Sequence, residues 1–458
     1  MIELIRGRDV MVVGLARSGM AAVRLLAELG ARKIIATDQK AASALRDELE
    51  QLNKFAGVTA VIGENRPELV TPDLSLIIKS PGVPPTLELF RRAAALQIPV
   101  LSEIELAYAF IKAPLVGITG TNGKTTTTAL TAAILEEARI GPVMAAGNIG
   151  VPLCDAVGKI SSSGVIVAEL SSFQLENIRH FRPAAAVFLN FEEDHLDYHG
   201  TIESYFRAKV RIFENQGAGD YAILNASDAA VAALGDKVPG PVLWFGKGPL
   251  SRGAGLERDQ VVLFNGAKVE PVCPRVEIAL PGEHNLENAL AATAAAWAMG
   301  ADAAAAGRTL RRFRGIEHRL EYVACIDQVE FINDSKGTNP GAAIKALQSF
   351  PGKRKILIAG GKDKGSDFTA LAAVIKEEVH HLVLLGETKE QLARAVEQAG
   401  FTRYEMAGSF AEAVAAAWSR AEPGDQVLLS PACASWDMFK DYEARGNLFK
   451  ELVASLRR

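Results

Sequence analysis

Short apolar, β-branched runs alternate with alanine- and leucine-rich stretches along most of the chain. The apolar runs have the composition of buried strands, and the stretches between them have the spacing of crossover helices. Alternation of this kind is typical of parallel sheets that are covered by helices. We therefore predict an α/β protein.

The predicted strands fall into three blocks, which we expect to be three domains: 1–102, 103–314 and 315–458. Strands are predicted at Val10–Val13, Lys33–Thr37, Leu76–Lys79 and Pro99–Leu101 in the first block, at Val165–Leu170, Ala185–Leu189 and Tyr221–Leu224 in the second, and at Val329–Ile332, Lys355–Ile358, Leu382–Leu385 and Gln426–Leu429 in the third. The Gly- and Pro-rich stretch Pro239–Pro281 indicates hairpins or a meander.

Composition narrows the class of protein. The chain has 458 residues, 49% of them hydrophobic, which is enough for a large core. A net charge of −4 with both signs interspersed gives no reason to expect nucleic acid or a membrane surface as partner. Cys154, Cys273, Cys325 and Cys433 lack paired spacing and are expected to be reduced core thiols. The N-terminus shows no leader pattern, so we predict a cytoplasmic protein. We expect it to be a monomer.

A glycine-rich loop, GITGTNGKTT at Gly117–Thr126, follows an apolar pair and precedes a helix-forming run. Glycines let successive N–H groups surround phosphate oxygens, a lysine neutralises the terminal phosphates, and the next hydroxyl completes a Mg²⁺ shell. Ile118 stands where the strict motif has glycine, so the loop is a relative of the common form. We predict that ATP and Mg²⁺ bind through Gly120, Thr121, Asn122, Gly123, Lys124, Thr125 and Thr126.

Polar residues also follow the next strands of the second block, where ligands of such sheets collect. Glu169 ends one strand and can hold a metal that bridges phosphates. The run from Asn190 to His195 adds carboxylates and an imidazole, and a solvated acidic turn is the alternative for this run. His199 is interpreted as a loop residue.

Lys209 falls on an apolar helical stripe that we expect to face inward, formed by Ile202, Tyr205, Phe206 and Phe213. Its stem could carry the ammonium to the rim of the domain. Alternatively, Lys209 faces the metal site, where carbon dioxide would have to convert it to a carbamate, because an ammonium would repel Mg²⁺.

Several motifs together resemble the central ATPase domain of Mur ligases, which build the peptide of peptidoglycan: GTNGKTT, GNIG at Gly147–Gly150, AELSSFQ, EDHLD and FRAKVRIF. Folylpolyglutamate synthetases share that domain. INDSKGTNP at Ile332–Pro340 and LSPACASWDMFKDYEARGNLF at Leu429–Phe449 are similar to the D-glutamate-adding branch of the Mur ligases. The resemblance covers essentially the whole chain. It implies a Rossmann-like N-terminal domain, a central P-loop-type ATPase domain with a parallel sheet, and a Rossmann-like C-terminal domain.

The resemblance implies ATP-dependent joining of D-glutamate to UDP-N-acetylmuramoyl-L-alanine through an acyl phosphate. Lys124 would contact the β- and γ-phosphates. Thr125 and Glu169 would hold one Mg²⁺, and His195 with carbamylated Lys209 would hold a second.

Further nucleotide contacts are implied for Asn285 and Asn288, which share a helical face, and for Arg319, Asp334 and Lys336. The alternatives are a helix N-cap with a helical amide for the two asparagines, a rim salt bridge for Arg319, and a strand-end turn for the other two. Because these residues and the phosphate loop lie in different blocks, we expect domain closure.

The implied D-glutamate contacts are Thr338, Lys364, Ser435 and Tyr442, whose cationic and hydroxyl groups suit carboxylates. Lys362 competes with Lys364 for this role. Tyr442 stands where the family is expected to have phenylalanine, which puts this contact in doubt.

The first block, with VVGLARSG after a strand and Asp38 at the end of the next, also suggests a nicotinamide-dinucleotide domain, but the full GxGxxG fingerprint is absent. The family resemblance implies a UDP-sugar here instead. Its contacts would be Leu15, Ala16, Arg17, Ser18 and Asp38 near the uridine diphosphate, Ser80, Pro81 and Gly82 in the pocket, and Asn148, Ser171, Gln174 and His195 along the muramoyl part.

Two other function classes stay open. One is a sibling ligase, of the Mur or folylpolyglutamate synthetase type, that uses another amine. The other is a nucleotide-binding regulator without catalysis.

Overall fold

The computed structural model describes residues 1–148, 150–248, 250–280, 282–363 and 365–456. They form two compact units, Met1–Phe313 and Arg314–Arg458. The first unit contains two sheets and the second contains one. Apolar strands buried on both faces lie in the sheet interiors, and helices cover them.

The first sheet is entirely parallel, in the order β3-β2-β1-β4-β5. Its strands are β1 (Asp9–Val13), β2 (Lys33–Asp38), β3 (Val58–Ile62), β4 (Leu74–Lys79) and β5 (Val100–Ser102). The helices of this region are α1 (Arg17–Glu28), α2 (Arg46–Leu52), α3 (Glu88–Ala95) and α4 (Glu103–Tyr108). The strand order reverses between β1 and β4, so a crevice for ligands is expected at their carboxyl ends.

The second sheet has the order β14-β13-β12-β11-β10-β9-β6-β8-β7. Its strands are β6 (Leu115–Thr119), β7 (Val143–Gly147), β8 (Val165–Glu169), β9 (Ala185–Phe188), β10 (Tyr221–Asn225), β11 (Val242–Gly246), β12 (Arg252–Glu257), β13 (Gln260–Asn265) and β14 (Lys268–Pro274). The accompanying helices are α5 (Lys124–Glu137), α6 (Leu153–Ala156), α7 (Ser172–Leu175), α8 (Leu196–His199), α9 (Ile202–Val210), α10 (Ala229–Ala232), α11 (Glu283–Ala298) and α12 (Ala303–Arg312). Because β6 pairs with both β8 and β9, the loop after β6 lies between the segments that follow those two strands.

The second unit has one sheet in the order β15-β16-β20-β17-β18-β19, in which only β15 runs antiparallel. Its strands are β15 (Glu321–Ile326), β16 (Val329–Asn333), β17 (Lys355–Gly360), β18 (Val379–Leu385), β19 (Tyr404–Met406) and β20 (Gln426–Leu429). Its helices are α13 (Pro340–Gln348), α14 (Thr369–Glu378), α15 (Lys389–Gln398), α16 (Phe410–Arg420) and α17 (Tyr442–Ser455).

The predicted α/β fold with parallel sheets is confirmed. Four strands were not predicted, namely β3, β7, β15 and β19, and each lies at the edge of its sheet. Edge strands are partly exposed, so their apolar runs are weak. The stretch Pro239–Pro281 is only partly a meander, because β11 and β12 continue the parallel sheet and antiparallel pairing joins β12, β13 and β14. The boundaries at 102 and 314 stay predictions.

Two expectations about burial were wrong. Ile202 is 37% exposed, because it opens α9 at the protein surface. Cys325 is exposed on edge strand β15, whereas Cys154, Cys273 and Cys433 are buried. Among the described residues, no helix combines the length and apolarity needed to cross a bilayer.

Candidate active site

The phosphate loop joins β6 to α5 at the centre of the second sheet. Gly120 (φ 147°) and Gly123 (φ 80°) hold backbone conformations that favour glycine. A Cβ at Gly123 would lie 2.2 Å from Asn288 Oδ1. The Lys124 ammonium turns back over the loop and donates to the carbonyl oxygens of Gly120 (2.9 Å) and Thr121 (2.8 Å). The loop therefore has the tight backbone path and the cation that phosphate binding requires.

The segment after β9 braces this loop. Asn190 accepts two hydrogen bonds from it, at its carbonyl from Thr121 N (3.0 Å) and at its Oδ1 from Asn122 N (2.8 Å). The Asn122 amide donates to Glu192 Oε2 (2.9 Å). Glu192 and Glu193 are exposed, so the acidic run is solvated but also contributes to the geometry of the loop.

Lys209 lies beneath the loop and not at the rim. The residue is 1% exposed, its Nζ donates to Gly120 O (2.7 Å), and the ammonium lies 4.6 Å from the centre of the Tyr205 ring. Burial, reinforced by the nearby positive charge of Lys124, lowers the pKa of Lys209 to about 6. The buried site therefore disfavours the charged form of Lys209.

Glu169 ends β8 beside the loop and is 2% exposed. Its Oε1 accepts a hydrogen bond from the Asn148 amide (2.8 Å). Its Oε2 is buried and has no hydrogen-bond partner among the described residues. A buried carboxylate oxygen without a partner is costly and calls for an explanation such as a bound ion.

His195 lies in the left-handed region (φ 53°) at the start of α8, and its side chain is 45% exposed. Its ring packs against Phe173 (4.9 Å between centroids) and Tyr205 (5.9 Å). Tyr205 also contacts Lys209, so His195 and Lys209 both lie against one aromatic ring.

Asn285 and Asn288 share one face of α11, as predicted from their spacing. The Asn288 amide donates to Asn285 Oδ1 (3.2 Å), and Asn288 Oδ1 accepts from Thr127 Oγ1 (3.3 Å) on α5. The helix N-cap is Gly282, so the N-cap alternative for the asparagines was wrong. The pair lies against the Gly123 end of the phosphate loop.

The predicted UDP-substrate residues of the first block converge on the crevice between β1 and β4. Leu15 N donates to Asp38 Oδ2 (2.8 Å), and Ser80 Oγ donates to Gly14 O (2.6 Å). Val83 N donates to Ser80 O (3.1 Å), which closes a turn around Pro81 and Gly82. Ala16 caps α1, Arg17 and Ser18 open it, and the Arg17 guanidinium reaches the Gly150 carbonyl.

Ser171 and Gln174 form a capping box on α7, directly after Glu169. Gln174 Oε1 accepts from Ser171 N (3.0 Å), whereas the Gln174 Nε2 group is buried without a partner among the described residues. The amide of Gln174 is thus a hydrogen-bond donor that no described residue accepts from, five positions after Glu169 at the end of β8.

In the second unit, Asp334 follows β16 and accepts hydrogen bonds from Ser430 Oγ (2.7 Å) and Leu320 N (3.3 Å). Burial raises the pKa of Asp334 to about 7, and the charge of Arg319 opposes that shift. The Lys336 ammonium lies 5.7 Å from the centre of the Tyr442 ring.

The predicted D-glutamate residues of the second unit gather only in part. Ser435 is 2% exposed, and Thr338 follows Lys336, to whose carbonyl its N–H donates (2.9 Å). Lys362 Nζ lies 2.6 Å from Glu387 Oε2, and Lys364 lies outside the described residues.

Residues 8–102 match the Mur ligase MurD-like N-terminal domain, residues 118–296 the Mur ligase middle domain, and residues 318–433 the Mur ligase glutamate ligase domain. The UDP-N-acetylmuramoylalanine–D-glutamate ligase of Pelotomaculum thermopropionicum is 48% identical over 98% of both chains. The chain belongs to the Mur ligase family. The enzyme of the same name from Geobacillus kaustophilus is 43% identical, again over 98% of both chains.

Solved structures agree with the Mur ligase fold. The UDP-N-acetylmuramate-alanine ligase of Thermotoga maritima has a TM-score of 0.55 at 20% identity, with 98% of this chain and 99% of that chain covered. A pseudomurein peptide ligase of Methanothermus fervidus has a TM-score of 0.54 at 18% identity, with coverage of 98% and 100%. At these identities the likeness concerns the fold alone.

Sequence reasoning missed the contacts of His199 and of Arg445. His199 is not a loop residue, since it ends α8, stacks on Phe173 (5.4 Å) and lies 2.9 Å from Ser172 Oγ through its Nε2. Arg445 is 1% exposed and donates to Ser335 O (2.8 Å). The only sequence signal for Arg445 was its place within a motif that resembles the family.

Proposed function

We propose that this Mur ligase joins D-glutamate to UDP-N-acetylmuramoyl-L-alanine with hydrolysis of ATP to ADP and phosphate, as a step in peptidoglycan precursor synthesis. The observation that carries the proposal is the phosphate loop with Lys209 buried beneath the carbonyl of Gly120. The names of the full-length relatives support the choice of substrates.

The reaction has two steps. An oxygen of the alanyl carboxylate forms a bond to the γ-phosphorus of ATP while the bond to ADP breaks. The amine of D-glutamate then forms the amide bond while phosphate leaves. Both steps bring anions together, so positioning and charge neutralisation carry most of the catalysis.

In this proposal ATP lies on the phosphate loop. The N–H groups of Gly120–Gly123 surround its phosphates, and Lys124, now bound to two loop carbonyls, turns to the β- and γ-phosphates. Thr126, in the first turn of α5, is proposed as a further ATP contact. Asn285 and Asn288 supply amides from α11, and Arg319, Asp334 and Lys336 contribute from the second unit.

The residues present suit Mg²⁺. Glu169 offers a buried oxygen that has no hydrogen-bond partner in the described part of the chain, and Thr125 offers a hydroxyl at the first turn of α5. No group of three or more His, Cys, Asp or Glu side chains is arranged as a ready metal cage among the described residues. Bound at Glu169 and Thr125, Mg²⁺ would neutralise phosphate charge and polarise the γ-phosphoryl group.

A second Mg²⁺ is proposed at His195 and Lys209, with Lys209 as a carbamate. The uncharged amine would bond to the carbon of carbon dioxide and release one proton, which leaves a carboxylate on the nitrogen. The low pKa of Lys209 supports this step, because only the uncharged amine reacts. Both proposed ligands contact the ring of Tyr205, which would help to hold them in place.

The UDP part of the substrate is proposed to lie over the crevice of residues 1–102. Leu15, Ala16, Arg17, Ser18 and Asp38 line one side and Ser80, Pro81 and Gly82 the other. Asn148, Ser171, Gln174 and His195 would guide the muramoyl part, and the unpartnered Nε2 of Gln174 is suited to donate to a substrate carbonyl.

D-Glutamate is proposed to bind in 315–458 through Thr338, Ser435, Tyr442 and Lys364, with Lys362 as the alternative cation. Lys362 already faces Glu387, which favours Lys364. The central ATPase domain would then comprise 103–314, and we expect a cytoplasmic monomer.

The test is phosphate release from Mg-ATP and UDP-N-acetylmuramoyl-L-alanine with one amine at a time: D-glutamate, L-glutamate, L-lysine or meso-diaminopimelate, with a folate acceptor as control. We expect release with D-glutamate only. Release with another amine would indicate a sibling ligase, and no release with any would contradict catalysis.

A further inference from the structure

Tyr198 links the short helix after His195 to the turn after β4. Its hydroxyl accepts a hydrogen bond from Lys79 Nζ (2.5 Å), donates to Glu176 Oε2 (2.8 Å) and lies 3.4 Å from Val83 O. Lys79 and Val83 are the residues that flank Ser80–Gly82, the turn proposed to line the UDP-substrate pocket. One hydroxyl group therefore contacts both ends of that turn.

The aromatic ring of Tyr198, unlike its hydroxyl, is linked to His195 through Phe173. It packs edge-on against Phe173 (4.5 Å between centroids), whose ring is 4.9 Å from that of His195. The backbone adds a direct link, since Tyr198 N donates to His195 O (3.2 Å). The left-handed backbone of His195 is sparsely populated for a residue with a side chain, so surrounding contacts must hold it.

Lys79 is buried too deeply to touch a substrate. It is 3% exposed, and its ammonium is satisfied by Glu176 Oε2 (3.1 Å), Asn177 Oδ1 (3.4 Å) and Tyr198. Removing one partner of such a pair leaves an uncompensated buried charge, so the three groups act as a unit. Lys79 can therefore affect the reaction only indirectly, through these partners or through the turn.

We propose that Lys79, Glu176 and Tyr198 are positioning residues that couple the Ser80–Gly82 turn to the orientation of His195. This inference rests on the proposed function. Binding of the UDP-substrate and placement of His195 then depend on the same hydrogen-bonded group. Loosening the group lowers kcat and raises KM for the UDP-substrate, while KM for D-glutamate stays unchanged.

The test compares Lys79→Met and Tyr198→Phe in the full chain with Lys355→Met as a matched control. Lys355 is also a fully buried lysine paired with a glutamate (Nζ to Glu378 Oε2 2.8 Å), but it lies in the second unit on β17. We expect kcat/KM for UDP-N-acetylmuramoyl-L-alanine to fall by about tenfold or more in both test variants, as when an outer partner of a metal ligand is removed. The kcat/KM of the double variant should be no lower than that of the single variants. Lys355→Met should lower thermal stability without changing kcat/KM.

The test variants could instead lose stability as Lys355→Met does while their kcat/KM stays within about twofold of the wild-type value. The group would then only stabilise the fold, and the proposed coupling would be overturned. If Lys79→Met does not fold, Tyr198→Phe decides, because it removes a single oxygen. Failure of the wild-type chain to release phosphate would instead count against the proposed function. In that case calorimetric measurement of the Kd for the UDP-substrate still tests the proposed coupling. Equal Kd values in the wild type and the variants would overturn the coupling.

Discussion

Gly123→Ala should weaken ATP binding through Asn288, a residue 165 positions further along the chain. Gly123 has φ 80° and a Cβ there would lie 2.2 Å from Asn288 Oδ1. Unstrained contacts of this kind lie beyond about 3 Å, so the Asn288 side chain must move. Asn288 then loses its contacts with Thr127 Oγ1 and Asn285 Oδ1.

The expected cost has two parts. A left-handed alanine costs about 1 kcal/mol relative to glycine. Each of the two lost hydrogen bonds costs about 1 kcal/mol more, for a total of about 3 kcal/mol of unfolding free energy. Because the amides that move are the proposed nucleotide contacts, we expect the Kd for ATP to rise by about tenfold or more, which corresponds to about 1.4 kcal/mol.

Gly158→Ala is the matched control. Gly158 has φ 76°, and a Cβ there would meet nothing within 4 Å. Alanine at this position therefore introduces the backbone strain without a steric clash. The comparison uses denaturant unfolding for the free energy and calorimetric titration with ATP for the Kd. If Gly123→Ala matches Gly158→Ala in both measurements, Asn288 is not held against the loop and the reasoning fails.

Three further predictions concern buried ionisable groups. Lys209→Ala should lower the rate of phosphate release about 100-fold or more; short carboxylates should restore part of it and bicarbonate none, and an unchanged rate would exclude the carbamate. Glu169→Gln keeps an acceptor for Asn148 but replaces the unpartnered oxygen with a donor, so the Mg²⁺ concentration for half-maximal phosphate release should rise; an identical Mg²⁺ titration would contradict the proposed ligand. Burial raises the pKa of Glu103 from 4.5 to about 7 in the folded chain, so its stabilising contribution is complete below pH 4.5 and is lost as pH rises through about 7, by up to about 3 kcal/mol. The unfolding free energy of Glu103→Gln, measured with denaturant at pH 5 and pH 8, should therefore change less between the two pH values than that of the wild type. An equal change in both proteins would refute this prediction.

The local pattern of the sequence was enough to predict the interior of each sheet and the phosphate loop. Interior strands such as β6 and β8 are buried on both faces, so they read as continuous apolar runs. The loop has glycines at the positions where the backbone needs them, followed by Lys124. The edge strands β3, β7, β15 and β19 escaped prediction because half-exposed strands carry mixed residues.

The candidate site was only partly predictable. The helical stripe placed Lys209 beside Tyr205, and the spacing of Asn285 and Asn288 placed them on one face. The sequence could not show that Lys209 is buried beneath the loop, and this burial excludes the rim alternative and lowers the pKa of Lys209. His199 was misassigned for the same reason, because its partners Ser172 and Phe173 come from another segment.

The sequence by itself determined the fold class, the phosphate loop and the family, because periodicity, turn chemistry and motifs are local properties of the chain. Only the tertiary structure decided which groups lie together: the Glu169 oxygen that has no hydrogen-bond partner among the described residues, the buried amine of Lys209, and the contact between Lys79 and Tyr198, which are 119 positions apart. Burial and electrostatic environment arise when distant segments pack together, and no local pattern records them.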